Sequence, residues 1–413
     1  MHLYQYAMRM AWCGRAFVFA GLLLMSIGCS VLKRGDPIPH ELGVEALPMG
    51  VPGARVWGDE GDKVVEQRFM VSLERERVAR GLASIDELGE ASFLAISGGG
   101  SDGAYGAGLL CGWTAHGDRP VFKIVTGIST GALIAPFAFL GSDYDFVLRE
   151  VYTSVSTKQI AKSRSWISGL LSDGMTDVSP LRKLIAKHVD QKFLDRVAQE
   201  SRKGRILLLG TTNLDSQRPV MWTMGSIATS GHPNALELFR EVMIASASIP
   251  GAFPPVMIDS EVGGKKYQEM HVDGGVSSQV FLYPASFSFK KLPDSGAAHR
   301  KRRVFVIRNG LLYPQHESVR RRVVPITVRS VSTLIKSQGL GDLYRIYLGC
   351  LSDGIDYNLA SIPEDFKEKS EEAFDPKYMK ILFERGYDAA VKGYVWKKTP
   401  PGIDPMEFAD HQP

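Results

Sequence analysis

The 413-residue chain has little of what would mark a metalloprotein, a nucleic-acid binder or a multi-span membrane protein. Its four cysteines, Cys13, Cys29, Cys111 and Cys350, are too widely spaced for a zinc site or a disulfide framework. Lys and Arg outnumber Asp and Glu by only 49 to 45, and the two signs are mixed, so the basic pI is no nucleic-acid signature. The uncharged stretch at residues 16–32 is shorter than the ~20 residues a spanning helix needs. No phosphate loop, metal-ligand spacing or internal repeat is visible, so neither a nucleotide, a catalytic metal nor another cofactor is expected. With 44% hydrophobic and 23% charged residues the composition is that of a globular protein, neither disordered nor polytopic.

What the chain does have begins at its N-terminus. Arg9 and Arg15 precede the uncharged run, which contains Met25-Ser26-Ile27-Gly28-Cys29. A basic start, a short apolar segment and a small residue before cysteine resemble a bacterial lipoprotein signal, although Ser26 stands where leucine is more usual. The resemblance implies a signal peptide over residues 1–28, a lipidated Cys29 and attachment to a membrane by its acyl chains. Ser30 after the cysteine resembles signals for the outer membrane, so a lipid-anchored cell-envelope protein is expected, with a secreted or periplasmic one as the alternative. A plain signal peptide or short anchor helix with an incidental cysteine is the other reading of the segment.

Residues 29–90 read as a Pro- and Gly-containing tether followed by an amphipathic helix over residues 62–80. The pattern then alternates. Short apolar runs at residues 92–97, 121–126, 205–212, 219–224, 267–272 and 303–308 are expected strands, and helical stretches lie between them. Ser179-Pro180 opens one helix as cap and first residue, and Pro250 follows another over residues 236–248. Alternation of this kind predicts an α/β fold with a central, largely parallel sheet covered by helices on both faces. Residues 91–310 form the expected catalytic domain, and residues 311–413, with a helix near 327–337, a C-terminal helical extension.

Three glycine-framed segments follow strands. Gly127-Ile128-Ser129-Thr130-Gly131 fits G-x-S-x-G between a strand and a helix, the setting of a nucleophile elbow; the plainer reading is a turn in which Ser129 caps a helix. Gly98-Gly99-Gly100-Ser101-Asp102-Gly103 fits G-x-G-x-x-G, but no acidic residue ends the next strand where a dinucleotide ribose would need one. Its backbone N–H groups, with that of Thr130, suit an oxyanion instead. Asp273-Gly274-Gly275 alone is only a turn.

Together, in this order, the three segments resemble the patatin-like phospholipase family over about residues 93–310, as do Ala245-Ser246-Ala247-Ser248-Ile249-Pro250 and Phe253-Pro254-Pro255. The resemblance implies a patatin-like three-layer fold and a serine lipid acyl hydrolase, of phospholipase A or esterase type, acting in lipid degradation. It implies a Ser129–Asp273 dyad, Gly127 and Gly131 framing the elbow, an oxyanion hole from Gly98, Gly99, Gly100, Gly103 and Thr130, and Gly274 and Gly275 completing the acid turn. The expected partner is a lipid or other acyl ester. One departure stands out: Asp102 lies where the family's loop usually carries Arg or Lys. It is the one support in the sequence for the alternative, a catalytically weak or inactive lipid-binding envelope protein.

A conventional triad would require a histidine, and His299 and His316 follow Asp273 in the chain. Neither has the local setting of a triad base, and His271 is expected to pack beside Asp273. Trp166, Ile167, Leu170 and Leu171 are a candidate lipid-contacting patch, with a core role as the plainer reading. The basic run from Arg300 to Arg303 is read as a solvated edge leading into a strand.

Overall fold

A computed structural model describes residues 33–59, 62–160, 162–163, 173–284, 287–292 and 297–404. The signal segment, Cys29 and the patch at Trp166, Ile167, Leu170 and Leu171 lie outside the described residues. The main sheet contains β1 (Leu47–Pro48), β2 (Arg55–Trp57), β3 (Ala91–Ile96), β4 (Phe122–Ile128), β5 (Ile206–Asn213), β6 (Arg218–Thr223), β7 (Val256–Val262), β8 (Lys265–Asp273), β9 (Arg302–Arg308) and β10 (Asp356–Ser361). Its order is β1-β7-β8-β5-β4-β3-β9-β10, with β6 on β5 and β2 on β6. Strands β5, β4, β3, β9 and β10 run parallel and form the centre; the β1, β2, β6, β7 and β8 pairings are antiparallel.

Helices sit on both faces. On one lie α1 (Asp62–Ala79) and the long helix near the C-terminus; on the other are α2 (Gly103–His116), α3 (Thr130–Leu140), α4 (Asp145–Ser154), α5 (Ser179–His188), α6 (Gln191–Arg202) and α7 (Ala235–Ser246). Every residue of β3 and β4 is buried, which is why these strands read as unbroken apolar runs without alternation. Two apolar clusters flank the sheet, one containing Leu94, Ile96, Val125 and Phe239, the other Phe93, Ala95, Ile124 and Phe289.

Beyond residue 310 come α8 (Val323–Asp353), β10 and α9 (Pro376–Val391). Strand β10 extends the parallel core beside β9, and α9 lies against α2 so closely that a Cβ on Gly108 would stand 2.0 Å from the Phe383 carbonyl oxygen. A segment read as a helical extension thus supplies a sheet strand and a wall of the same body. The basic run is a solvated edge only at Lys301 and, in part, Arg303. Arg300 is buried in ion pairs with Glu76 at 2.7 and 2.9 Å, and Arg302 is buried over the Phe289 ring; Arg303 alone of the three is half-exposed.

Candidate active site

The sheet register brings the three glycine-framed segments together. Strand β4 pairs with β5 as far as Ile128 opposite Gly210; at the next residue, Thr211, β5 pairs with Asp273 of β8. Because β4 runs parallel to β5 and β8 antiparallel, their C-terminal ends meet head-on, one carrying Ser129 and the other Asp273.

Ser129 has φ +55° and ψ −125°, a strained backbone for a side-chain-bearing residue and the geometry that lifts its hydroxyl out of the strand end. The framing glycines are needed for space: a Cβ on Gly127 would lie 2.3 Å from the Gly131 carbonyl oxygen, and one on Gly131 2.2 Å from that of Ile96. The Ser129 N–H donates to Ser246 Oγ at 3.0 Å, and that hydroxyl donates onward to the Gly210 carbonyl at 2.6 Å, clamping the elbow to β5. The Asp273 N–H is held by the Ser248 carbonyl at 2.9 Å.

Asp273 Oδ1 accepts the Gly275 N–H at 2.7 Å, while Oδ2 is buried without a hydrogen bond of ordinary geometry. Burial pushes the carboxyl up to about 7; the neighbouring Ser129 hydroxyl and the Gly275 N–H pull weakly against it. No cation among the described residues contributes. A carboxylate of this basicity is matched to proton transfer near neutral pH, which an ordinary aspartate is not.

The glycine loop lies alongside. The N–H groups of Gly99, Gly100 and Thr130 have no acceptor among the described residues, and Gly100, Ser129 and Thr130 line one cleft. Gly98 and Gly103, expected as donors too, are otherwise engaged: the Gly98 N–H is spent on the Gln279 carbonyl at 3.0 Å, and that of Gly103 closes the turn into α2. Both glycines serve packing instead, since a Cβ on Gly103 would lie 2.2 Å from Thr130 Oγ1. A Cβ on Gly274 would likewise lie 2.5 Å from the Gly210 carbonyl oxygen, and the Gly275 carbonyl accepts from Gln279 Nε2 at 2.7 Å. Gln279 therefore ties the acid turn to the glycine loop, and its own N–H is held by Asp342 of α8 at 2.6 Å.

Asp102 accepts the Tyr378 hydroxyl of α9 at 2.6 Å. Burial raises its carboxyl to about 6 against the opposing pull of Tyr378 and Arg308. The buried Arg308 guanidinium comes from the end of β9 and donates to Ser97 Oγ at 3.0 Å and the Gly98 carbonyl at 2.9 Å. Asn309 completes this support: its amide donates to the Ser97 carbonyl at 2.9 Å and its Oδ1 accepts the Gly106 N–H at 3.1 Å. A cation absent from the loop itself thus reaches it from the neighbouring strand. Gln279, Arg308, Asn309 and Tyr378 carry no motif of their own, and Ser246 lies in the Ala245–Pro250 segment without a role assigned to it there.

From Ser129 the cleft runs between α3, α4, α5, α7 and α9, with a cavity volume of about 70 Å³. Leu133, Phe137, Ile185, Met243, Phe253 and Met379 give it apolar walls. No hydrogen bond joins a histidine to Ser129 or Asp273 among the described residues. His271 is fully buried, bonded to Thr211 Oγ1 at 3.0 Å and 3.6 Å from Glu269; His299 precedes β9 at the end of the sheet remote from Ser129, and His316 is exposed. Among the described residues no group of His, Cys, Asp and Glu could hold a metal ion, and no helix is long and apolar enough to cross a membrane.

Residues 94–286 match the family model of patatin-like phospholipase. No curated protein matches the chain. Among solved structures it is similar to VipD from Legionella pneumophila, at 11% identity and TM-score 0.37, over 73% of this chain and 66% of that one. It is also similar to full-length ExoU from the type III secretion system of Pseudomonas aeruginosa, solved in complex with SpcU, at 13% identity and TM-score 0.32, over 73% of this chain and 51% of that one. The match thus spans just under two thirds of VipD and about half of ExoU.

Proposed function

We propose, from the patatin-like phospholipase domain at residues 94–286, that the protein is a lipid acyl hydrolase whose nucleophile is Ser129 and whose base is Asp273. The observation that carries this reading is the meeting of a strained serine elbow with a buried carboxylate at about 7, at the mouth of an apolar cleft.

The acyl chain lies in the cleft, and its carbonyl carbon is presented to Ser129 Oγ. Asp273 takes the hydroxyl proton as the Oγ–C bond forms; the carbonyl oxygen becomes an oxyanion beside the N–H groups of Gly99, Gly100 and Thr130. The buried Arg308 holds that loop and adds positive potential. Collapse breaks the ester C–O bond, and the leaving alkoxide takes the proton from Asp273. Water then attacks the acyl-enzyme, giving its proton to Asp273 and releasing a fatty acid, with the proton returned to Ser129 Oγ. The mostly apolar walls favour an acyl chain over a polar group.

A fluorophosphonate probe should label the wild-type chain and not Ser129→Ala, and mass spectrometry of a mixed lipid extract should show fatty-acid release. Absence of labelling on folded protein sinks the enzymatic reading. The second reading, a lipid-binding protein without turnover, is favoured only by Asp102, whose charge opposes an oxyanion. We also propose that a lipid on Cys29 holds the protein in the cell envelope, at the outer membrane; Cys29→Ser should shift it from the membrane to the soluble fraction.

A further inference from the structure

Helix α8 turns its apolar side chains two ways. In its C-terminal half Leu343, Ile346, Tyr347 and Cys350 are buried in the cluster beside the sheet. In its N-terminal half Val323, Val328, Val331 and Leu334 stand in solvent, 81, 63, 48 and 69% exposed. At ~100° per residue, positions 323, 328, 331, 334 and 335 share an arc of about 140°, and Arg329 and Lys336 fall on the other side. That polar side is the one turned to the protein. Arg329 pairs with Glu317 at 3.3 Å and donates to the Gln315 carbonyl, and Lys336 donates to the Tyr313 carbonyl.

This is the reverse of a helix held by packing, which buries its apolar arc. The charge is equally one-sided. Residues 318–341 include Arg320, Arg321, Arg322, Arg329 and Lys336 and no Asp or Glu. Arg320, Arg321 and Arg322 are exposed and have no carboxylate partner among the described residues. A second copy of the chain would bring the same positive charge to such a contact. A bilayer with anionic headgroups satisfies both features, because its acyl region accepts the apolar arc and its headgroups neutralise the arginines.

We propose that the N-terminal half of α8, with Arg320, Arg321 and Arg322 before it, is the surface on which the folded domain sits on an anionic lipid bilayer. Its position suits the site. A Cβ on Gly339 would lie 3.0 Å from Arg308 Nη2, and Leu334 is only ~7.5 Å further along the helix axis. The docking surface therefore begins beside the arginine that holds the glycine loop. The inference rests on the helix and not on the hydrolase reading, to which it adds the partner surface.

The test uses the full chain carrying Cys29→Ser and Ser129→Ala, so that neither an anchor lipid nor turnover contributes. Flotation is measured with vesicles of phosphatidylcholine alone and with about one third phosphatidylserine. Binding to the anionic vesicles is expected, reduced about tenfold or more by Val331→Asp with Leu334→Asp, and likewise by Arg320→Gln, Arg321→Gln and Arg322→Gln together. Circular dichroism checks that both variants keep the fold, as exposed positions should. Unchanged flotation in both variants, or none by the parent, overturns the proposal. So does a dimer in light scattering that Val331→Asp with Leu334→Asp dissociates, since the arc would then belong to a second copy. Hydrolysis of a water-soluble short-chain ester, measured with Ser129 restored, should survive the α8 substitutions; its absence even without them would sink the hydrolase reading and leave the docking result standing.

Discussion

At the start of β4, Lys123 is buried in an ion pair with Glu76 at 2.9 Å; at the other end of the strand, Ser129 faces Asp273. Both acids are buried, yet they titrate in opposite directions. Burial pushes Glu76 up, but Arg300 and Lys123 overcome it and hold the carboxyl at about 2. Asp273 meets the same desolvation with one backbone N–H and a hydroxyl, and stands at about 7. The difference teaches that burial alone does not make a base; withholding the cation does. One end of the strand uses its charges to lock α1 onto the sheet, and the other keeps a carboxylate costly to ionise and therefore ready to take a proton.

The sharpest way to break this contrast is at the reactive end. Ser129→Ala and Asp273→Asn should each lower hydrolysis of a chromogenic acyl ester by on the order of 10³-fold or more, with circular dichroism unchanged. Asp273→Asn should also be more stable than wild type at pH 8. The raised native pKa gives stability that is present at pH 4 and lost as pH climbs to about 7, a loss the amide escapes, so the melting-temperature gap should close at pH 4. Glu76→Gln is the mirror experiment: it strands Lys123 and Arg300, and urea unfolding should report a loss of about 3–5 kcal/mol, with kcat/KM per folded molecule unchanged. The pH profile comes next. With Asp273 required in its ionised form, kcat/KM should rise about tenfold per pH unit below neutrality and flatten above about 7. Asp102→Asn should have the smallest effect, raising kcat by about threefold above pH 6 and by nothing well below it, where Asp102 is already protonated.

Much of the parallel core was legible because doubly buried strands are unbroken apolar runs stopped by glycine: residues 92–97 and 303–308 lie within a residue of β3 and β9. Strand β7 was missed although Val256, Ile258, Ser260 and Val262 alternate cleanly inward, since Asp259 and Glu261 mask the short run. Strand β10, with Asp356 and Asn358 in it, has no apolar run to read. Its place is set by pairing with β9, a long-range fact. Helix α8 is legible only over residues 327–337, because its apolar face changes side midway and no single periodicity covers it. In the site, Ser129, Asp273 and their glycines were visible because strained turns demand particular residue types. Arg308 and Gln279 were not, because an anchoring side chain can come from any neighbouring element and needs no fixed spacing.

The head-on meeting of β4 and β8 across Gly210 and Thr211 has a bearing on when the proposed site can form. The proposed nucleophile and base lie on strands that pair only through a third, so neither local hairpin nor partial collapse can assemble them. A slip of β8 by one residue would send Asp273 to the other face of the sheet. On the proposed reading the unfinished chain is in effect its own zymogen, and correct sheet register is the event that arms it.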